Sequence, residues 1–448
     1  MIRLTEWEVH TEHGLSLTDE DRSIFNALEE VHDQRIELDE LLHGLRVRTR
    51  SWVGVVRLET VEFRVVPKLA GDRVALARMI EFACGLDGLR RLPRTTSVDV
   101  DGESLLELVA LLFVEETRRL LRRGVVKHYV PREEDLGVVR GRILADRQVL
   151  ERFGQLDRIL CHYDELESDV DENRLLLAGL RAVSRGLGSG ALRRSLERLR
   201  SVLEPECDLS SFDLRRVRRE LIYDRLNAHY EAAHRLAWLL LDGMGIEDLV
   251  ARGRTRSICF LLDMNALFER FVEQVFRRTL EPCGFAVESQ HSLKSVLWDV
   301  RRSASFGSIR PDLVVTARCA ERPLAVDAKY KEYDERGLSP SDLYQLLLYA
   351  SATSSGSSDT EQSVPTALLV YPTTVEDDRD VVLEARRQDG RATARVRSLA
   401  ISIPDVISEL DDGIAGPECN RIAQYVTAYL ASAGLAGIRV RTRSQGTS

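Results

Sequence analysis

The stretch RPDLVVTARCAERPLAVDAKYK, residues 310–331, decides how the chain is read. Two apolar runs flank a short polar loop, so the segment reads as two paired strands. Charges sit where burial should exclude them. Asp312 opens the first strand, and Asp327 lies within the second, two places before Lys329. Side chains alternate across a strand, so Asp327 and Lys329 share a face while Val326 and Ala328 turn the other way. If the 309–317 strand pairs alongside, Asp312 reaches the same spot. Two carboxylates converging on one point repel each other unless a cation lies between them. Hard carboxylate oxygens suit Mg2+, which keeps several waters and takes one or two protein carboxylates. A nearby lysine can orient or help deprotonate a water, or stabilise a pentavalent phosphate. Together these groups are the minimum for metal-assisted phosphodiester hydrolysis. The same string also describes a solvated sheet face, because P-D and D-x-K are short and common.

Three neighbouring features bear on that choice. In NALFERFVEQVF (265–276), Glu269 and Glu273 lie four residues apart on one helix face. Glu269 borders the apolar stripe, at the edge of the candidate metal site, whereas Glu273 reads as a solvated glutamate. In DLYQLLLYA (342–350), Gln345 and Tyr349 share a face and can hold a phosphate or a water. Arg310, just before Asp312, is a candidate contact to a DNA phosphate, or a plain surface arginine.

Outward from this region, residues 1–75 read as β-rich. RVRTRSWVGVVRLETVEFRVVPKL (46–69) alternates β-branched residues, is broken at Gly54 and is closed by Pro67. A short helix within 14–33 is capped at Thr18. Residues 76–255 read as mainly helical, with LGVVRGRIL (136–144) a strand or extended link. From 256 to 448 helix, strands, helix and strand alternate, the pattern of an α/β core with a mixed sheet. A Gly/Ser-rich loop is expected at 354–363, a final helix at 421–432 and a frayed tail at 441–448. The chain as a whole is expected to be α+β and multidomain.

Composition narrows the classes. With 448 residues, 44% apolar and 30% charged, the chain suits two or three globular domains. A net charge of −9 argues against a general polybasic DNA coat but leaves room for a local basic channel. Basic clusters at 117–123, 192–200 and 214–221 can track a phosphate backbone, although interleaved acids and leucines favour solvated helix faces. Seven cysteines without C-x-x-C spacing indicate a reduced, cytoplasmic protein lacking structural zinc or an iron–sulfur cluster. No apolar run is long enough to span a bilayer. No G-x-x-x-x-G-K-[ST] loop occurs, so any nucleotide consumed is expected on another chain.

The order of glutamate helix, P-D strand, D-x-K strand and Q-x-x-x-Y helix resembles the PD-(D/E)XK nuclease superfamily, in its RecB-like branch. Glu269, Asp312, Asp327 with Lys329, and Gln345 with Tyr349 carry it, over roughly residues 260–375. Four further stretches are similar to the McrC family: WVGVVRLETVEFRVVPKLAG (52–71), VVRGRILADRQ (138–148), CHYDELESDVDENRLLLAGL (161–180) and FLLDMNALFERFV (260–272). That family is the endonuclease subunit of McrBC modification-dependent restriction systems. The resemblance runs through most of the chain, weakest over 1–45 and beyond 375. It implies a Mg2+-dependent endonuclease with Asp312, Asp327 and Glu269 at the metal. It also implies double-stranded methylated DNA as substrate and a McrB-like AAA+ GTPase ring as partner. By this analogy the N-terminal half docks on the ring and stimulates GTP hydrolysis, with Leu15–Arg50 and the loops around Arg140–Arg142 as candidate contacts. Two other readings stand beside it: a RecB-like repair or defence nuclease acting without a GTPase, and a non-catalytic activator of an AAA+ ring.

Overall fold

The computed structural model describes residues 1–31, 35–70, 73–86, 103–154, 157–187, 190–244, 259–289, 292–317, 323–331, 333, 337–353, 364–375, 381–412 and 416–432. The 354–363 loop, the 441–448 tail, Cys319 and the 255/256 boundary lie outside the described residues.

The first part of the chain holds β1 (Ile2–Thr5), β2 (Val9–His13), α1 (Asp19–Val31), β3 (Ile36–Leu41), β4 (Gly44–Thr49), β5 (Trp52–Arg57), β6 (Glu62–Val66) and α2 (Arg73–Cys84). Next come α3 (Glu103–Leu121), β7 (His128–Leu136), β8 (Arg142–Ile143), α4 (Ala145–Glu151), β9 (Ile159–Glu167), α5 (Asp171–Gly186), α6 (Ala191–Leu203), α7 (Leu214–Glu220) and α8 (Glu231–Met244). Then follow β10 (Cys259–Asp263), α9 (Met264–Leu280), β11 (Phe285–Ser289), β12 (Leu293–Asp299), β13 (Ala304–Ile309), β14 (Leu313–Ala317) and β15 (Leu324–Ala328). The chain continues through α10 (Pro340–Ala352), β16 (Thr366–Pro372), β17 (Val382–Arg386), β18 (Ala392–Ile401), α11 (Ile403–Asp412) and α12 (Pro417–Ser432). The architecture is mixed α and β with several separate sheets.

Helix α1 starts where its cap predicts. The Asp21 amide donates to Thr18 Oγ1, and the Thr18 amide donates to Asp21 Oδ2, a reciprocal capping box. The run 46–69 is not broken at Gly54, which lies inside β5. There β10 pairs antiparallel, with Leu261 opposite Gly54. A Cβ on Gly54 would stand 2.0 Å from the Phe260 carbonyl oxygen, and φ is +148°. The glycine permits close approach of two strands rather than a turn. This pairing builds the sheet β1-β6-β5-β10, so a strand from residue 259 onward completes a sheet begun at residue 2.

The middle of the chain is not purely helical. β7, β9 and β8 form a three-stranded sheet, with α4 between β8 and β9. The β7 sequence HYVPREEDL is mostly solvated, so it lacks the apolar alternation that marks a half-buried strand. Of 136–144 only Leu136, the end of β7, and Arg142–Ile143, the whole of β8, are regular strand.

The sheet that carries the opening stretch has the order β11-β14-β15-β16-β18-β17. β15, β16 and β18 run parallel, and the remaining pairs are antiparallel. One face, through Val326, Leu368 and Leu399, joins a core shared with Phe268, Phe271 and Val275 of α9 and with α2, α3, α5 and α8. The opposite face, through Ala325, Leu369 and Val396, packs with Leu346, Tyr349 and Ala350 of α10. Alternation therefore assigns Asp327 to the α10 face. Among the described residues no helix is long and apolar enough to cross a membrane.

Candidate active site

Register brings the two aspartates together. Leu313 pairs with Val326, so one step further out Asp312 stands opposite Asp327. Asp312 Oδ2 accepts the Ala328 amide at 2.7 Å, which ties the start of β14 to the end of β15. Beyond Ala328 the chain keeps its course along β16, the Lys329 amide donating to the Val370 carbonyl at 2.9 Å.

Asp327 is 1% exposed. Lys329 Nζ lies 3.2 Å from Oδ1, as a hydrogen-bond donor, and 3.0 Å from Oδ2. The second contact is an ion pair without hydrogen-bond geometry, so Oδ2 is a buried oxygen that accepts no hydrogen bond. Burial, then the Asp312 charge, push the Asp327 carboxyl up to about 6. Asp312 is also raised, chiefly by burial. Burial opposes the charge on Lys329, but Asp327, Asp312 and Glu269 outweigh it and hold the ammonium above its ordinary range.

Two helices close the site. Helix α9 follows β10 directly, with Asp263 capping it through the Asn265 amide at 2.9 Å. The Met264 amide donates to the Ser51 carbonyl, so the N-terminal sheet sets where α9 begins. Glu269 on this helix is raised to about 7, first by burial and then by Asp312. Glu273 instead pairs with Arg277 one turn on, at 3.0 Å. Helix α10 places Gln345 and Tyr349 together: Gln345 Nε2 donates to Tyr349 Oη at 2.7 Å, and Tyr349 Oη donates to the Arg310 carbonyl at 2.8 Å. Arg310 is thus held through its backbone, while its side chain is exposed.

Sequence reasoning missed the groups that hold α10. Asp342, buried, accepts from Lys331 Nζ at 2.8 Å, Tyr333 Oη at 2.6 Å and Ser339 Oγ at 2.6 Å. Ser339 Oγ in turn accepts the Asp342 amide. The S-x-x-D spacing of Ser339 and Asp342 is a capping signal that the sequence did contain. Tyr330 and Glu6, joined across the chain, had no local signal at all.

The donor set fits a hard cation. Two carboxylates meet, one oxygen is buried without a hydrogen bond, burial raises both groups, and the Asp312 charge raises Asp327 further. Among the described residues no three His, Cys, Asp or Glu side chains are grouped to hold a metal by themselves. Asp312 and Asp327 are therefore the residues that could ligate directly, with Glu269 beside them.

Comparison with known proteins bears on family and fold. The sequence model for the McrBC 5-methylcytosine restriction system component matches residues 47–372. No curated protein matches the chain. Similar solved structures include the refined half-complex from a tetradecameric assembly of Thermococcus gammatolerans McrB AAA+ hexamers with bound McrC. It shares 19% identity and a TM-score of 0.50, covering 92% of this chain and 100% of that one. The cryo-EM structure of the Thermococcus gammatolerans McrBC complex shares 22% identity and a TM-score of 0.43, covering 62% and 88%. At such identity the first likeness speaks for the fold alone, and the second carries no argument. The family match spans most of the chain, both flanks of the carboxylate site included, and the chain belongs to the McrBC 5-methylcytosine restriction system component family.

Proposed function

We propose that this chain is the endonuclease subunit of a McrBC-type restriction system, a PD-(D/E)XK nuclease that cuts modified double-stranded DNA with Mg2+. The observation that carries the reading is the convergence of Asp312 and Asp327 on one point, with Lys329 against them and Glu269 near. Asp312 and Asp327 would hold Mg2+, which when bound polarises a phosphate oxygen and lowers the pKa of a water. Lys329 stays protonated beside three carboxyl groups, which suits a donor to the pentavalent phosphate rather than a base. Glu269, raised to about 7, suits a proton acceptor near neutral pH. Gln345 and Tyr349 position the Arg310–Asp312 segment.

Access for DNA is supported by the β12–β13 ribbon, which runs directly into Arg310. It exposes Trp298, Val300 and Phe306, with Arg301 and Arg302 at its turn. A two-stranded ribbon of this kind fits the major groove of a duplex.

The proposed partner is an AAA+ GTPase ring of the McrB kind. The arm of β7, β8, α4 and β9 supports it. The arm exposes large apolar side chains, Tyr129 toward one end of the β7–β9 ladder and Val138, Leu150 and Phe153 toward the other. It also carries Arg140, stacked over Tyr163 at 4.0 Å and paired with Glu165. Leu15–Arg50, the other candidate, buries Leu17, Phe25, Leu45 and Val47 in a small core, as a structural element does.

Cleavage of methylated duplex by the chain with its partner, GTP and Mg2+ tests the reading. Unchanged cutting by Asp327→Ala would sink it. GTP hydrolysis by the ring should still respond to that variant, because the arm lies outside the carboxylate site.

A further inference from the structure

One of the basic clusters, 192–200, is not simply a solvated helix face. Arg193 and Arg200 of α6 turn toward α5, where Arg181 and Arg185 stand four residues apart. With the Ser184 hydroxyl these four arginines line a cavity of about 430 Å³. Carboxylates answer them incompletely. Glu204 is shared by Arg200 at 2.8 Å and Arg181 at 3.3 Å. Glu197 pairs with Arg193 at 3.2 Å. Arg185 makes no hydrogen bond or ion pair among the described residues. Two positive charges are therefore left over at the mouth of one cavity.

The donors are also incompletely used. Arg200 Nη1 donates to Ser184 Oγ at 3.3 Å, yet its buried Nε has no partner. Arg193 Nη1 reaches the Leu187 carbonyl at 3.1 Å, which fixes that guanidinium at the rim. Ser184 is itself buried and spends its proton on the Leu180 and Arg181 carbonyls, so its oxygen keeps Arg200 in place. Guanidinium groups gathered at a concave surface with unused N–H donors match the tetrahedral, multiply accepting oxygens of phosphate.

We infer that the four-arginine cavity between α5 and α6 binds a phosphate oxyanion, carried by a nucleotide or by the backbone of nucleic acid. The site is separate from the Asp312–Asp327 pair and does not depend on the cleavage reading. Its cavity holds a single phosphate with its sugar and neighbouring water. Arg181 and Arg200 supply donors pre-oriented through Glu204, and Arg185 supplies an exposed one.

The test uses the full chain and three probes: inorganic phosphate, GMP and a short unmodified duplex, each titrated by calorimetry or anisotropy. Arg185→Ala with Arg193→Ala should weaken at least one probe tenfold or more, without change in thermal midpoint. Loss confined to phosphate and GMP identifies a nucleotide as the source. Loss confined to duplex, with a salt slope lower by about two, identifies the backbone. Arg200→Lys, which keeps the charge but loses the fork, should fall between wild type and the double variant. Arg198→Ala, on the exposed side of α6, should match wild type. Equal affinity of wild type and the double variant for all three probes would overturn the proposal, and would leave the nuclease reading untouched.

Discussion

The Tyr330 hydroxyl donates to Glu6 Oε2 at 3.2 Å and so joins the residue after Lys329 to the end of the first strand, 324 positions away. The Lys68 amide donates to the same oxygen at 2.7 Å, and the other oxygen is buried without a partner. Tyr330 is fully buried, stacked near Trp7 and Phe268. The N-terminal sheet therefore braces the segment that carries Lys329 through one carboxyl group.

That group should make stability depend on pH. Burial raises Glu6 from 4.5 to about 7. The folded state then binds a proton that the unfolded state releases, and stability falls as pH rises. The contribution is complete below about 4.5 and gone above about 7, worth roughly 3 kcal/mol. Glu6→Gln stays uncharged and should flatten this part of the profile. Urea midpoints from pH 4 to pH 8 check it, and parallel curves for the two proteins would contradict the assignment.

Mg2+ should stabilise the wild type and not Asp327→Asn. Cation bound between Asp312 and Asp327 relieves their repulsion and binds only the folded state. A hundredfold excess over its dissociation constant contributes about 3 kcal/mol, several degrees in thermal midpoint. Asp327→Asn loses that response and at least about a hundredfold in cleavage, the scale of removing one electrostatic group from a transition state. An Mg2+ shift that survives in Asp327→Asn would place the cation elsewhere.

How much of this was legible in the sequence depends on range. Alternation and i, i+4 spacing are local, so the Asp327–Lys329 ion pair and the Gln345–Tyr349 hydrogen bond were both readable, and both occur. The Thr18 cap was readable for the same reason. Gly54 was misread because a glycine that turns the chain and one that admits a neighbouring strand look identical until the partner, 207 residues later, is known. β7 escaped because a strand solvated on both faces leaves no apolar period. The strands β17 and β18, which complete the sheet, lie beyond the family-like region.

Helix α10 depends on Asp342. The Asp342→Ala change removes acceptors from Lys331, Tyr333 and Ser339 at once. A buried tyrosine hydroxyl and a cap are left unsatisfied, costing about 1–3 kcal/mol. Helix α10 also carries Tyr349, so cleavage should fall more than the loss of stability explains. Asp342→Asn, which retains an acceptor, should recover part of both. Chemical denaturation and single-turnover cutting on the same variants separate the two effects.

The β12–β13 ribbon should act on DNA and not on folding. Trp298 and Phe306 are more than half exposed, so Trp298→Ala with Phe306→Ala removes little buried area. The double variant should melt within about a degree of wild type, since surface changes stay within about 0.5 kcal/mol. Its affinity for duplex should fall several-fold, as stacking or groove contact contributes about 1–3 kcal/mol per aromatic. Wild-type affinity in a binding titration would remove the ribbon from the DNA interface.

Assembly should fail when the arm is made polar at its tip. Phe153 is 88% exposed and Leu150 83%, so neither contributes to the core of the isolated chain. Leu150→Glu with Phe153→Glu leaves the ion pairs Arg147–Glu151 and Arg152–Asp135 in place. The arm should therefore keep its fold and its circular dichroism. Two buried charges at a protein interface cost several kcal/mol unless paired, enough to weaken ring binding a hundredfold or more. Size-exclusion chromatography with the AAA+ partner reads assembly, and nucleotide hydrolysis reads stimulation. Loss of both, with Mg2+ stabilisation of the variant unchanged, assigns the arm to the partner and the carboxylate site to DNA. Normal assembly would move the docking surface to another face of the N-terminal half.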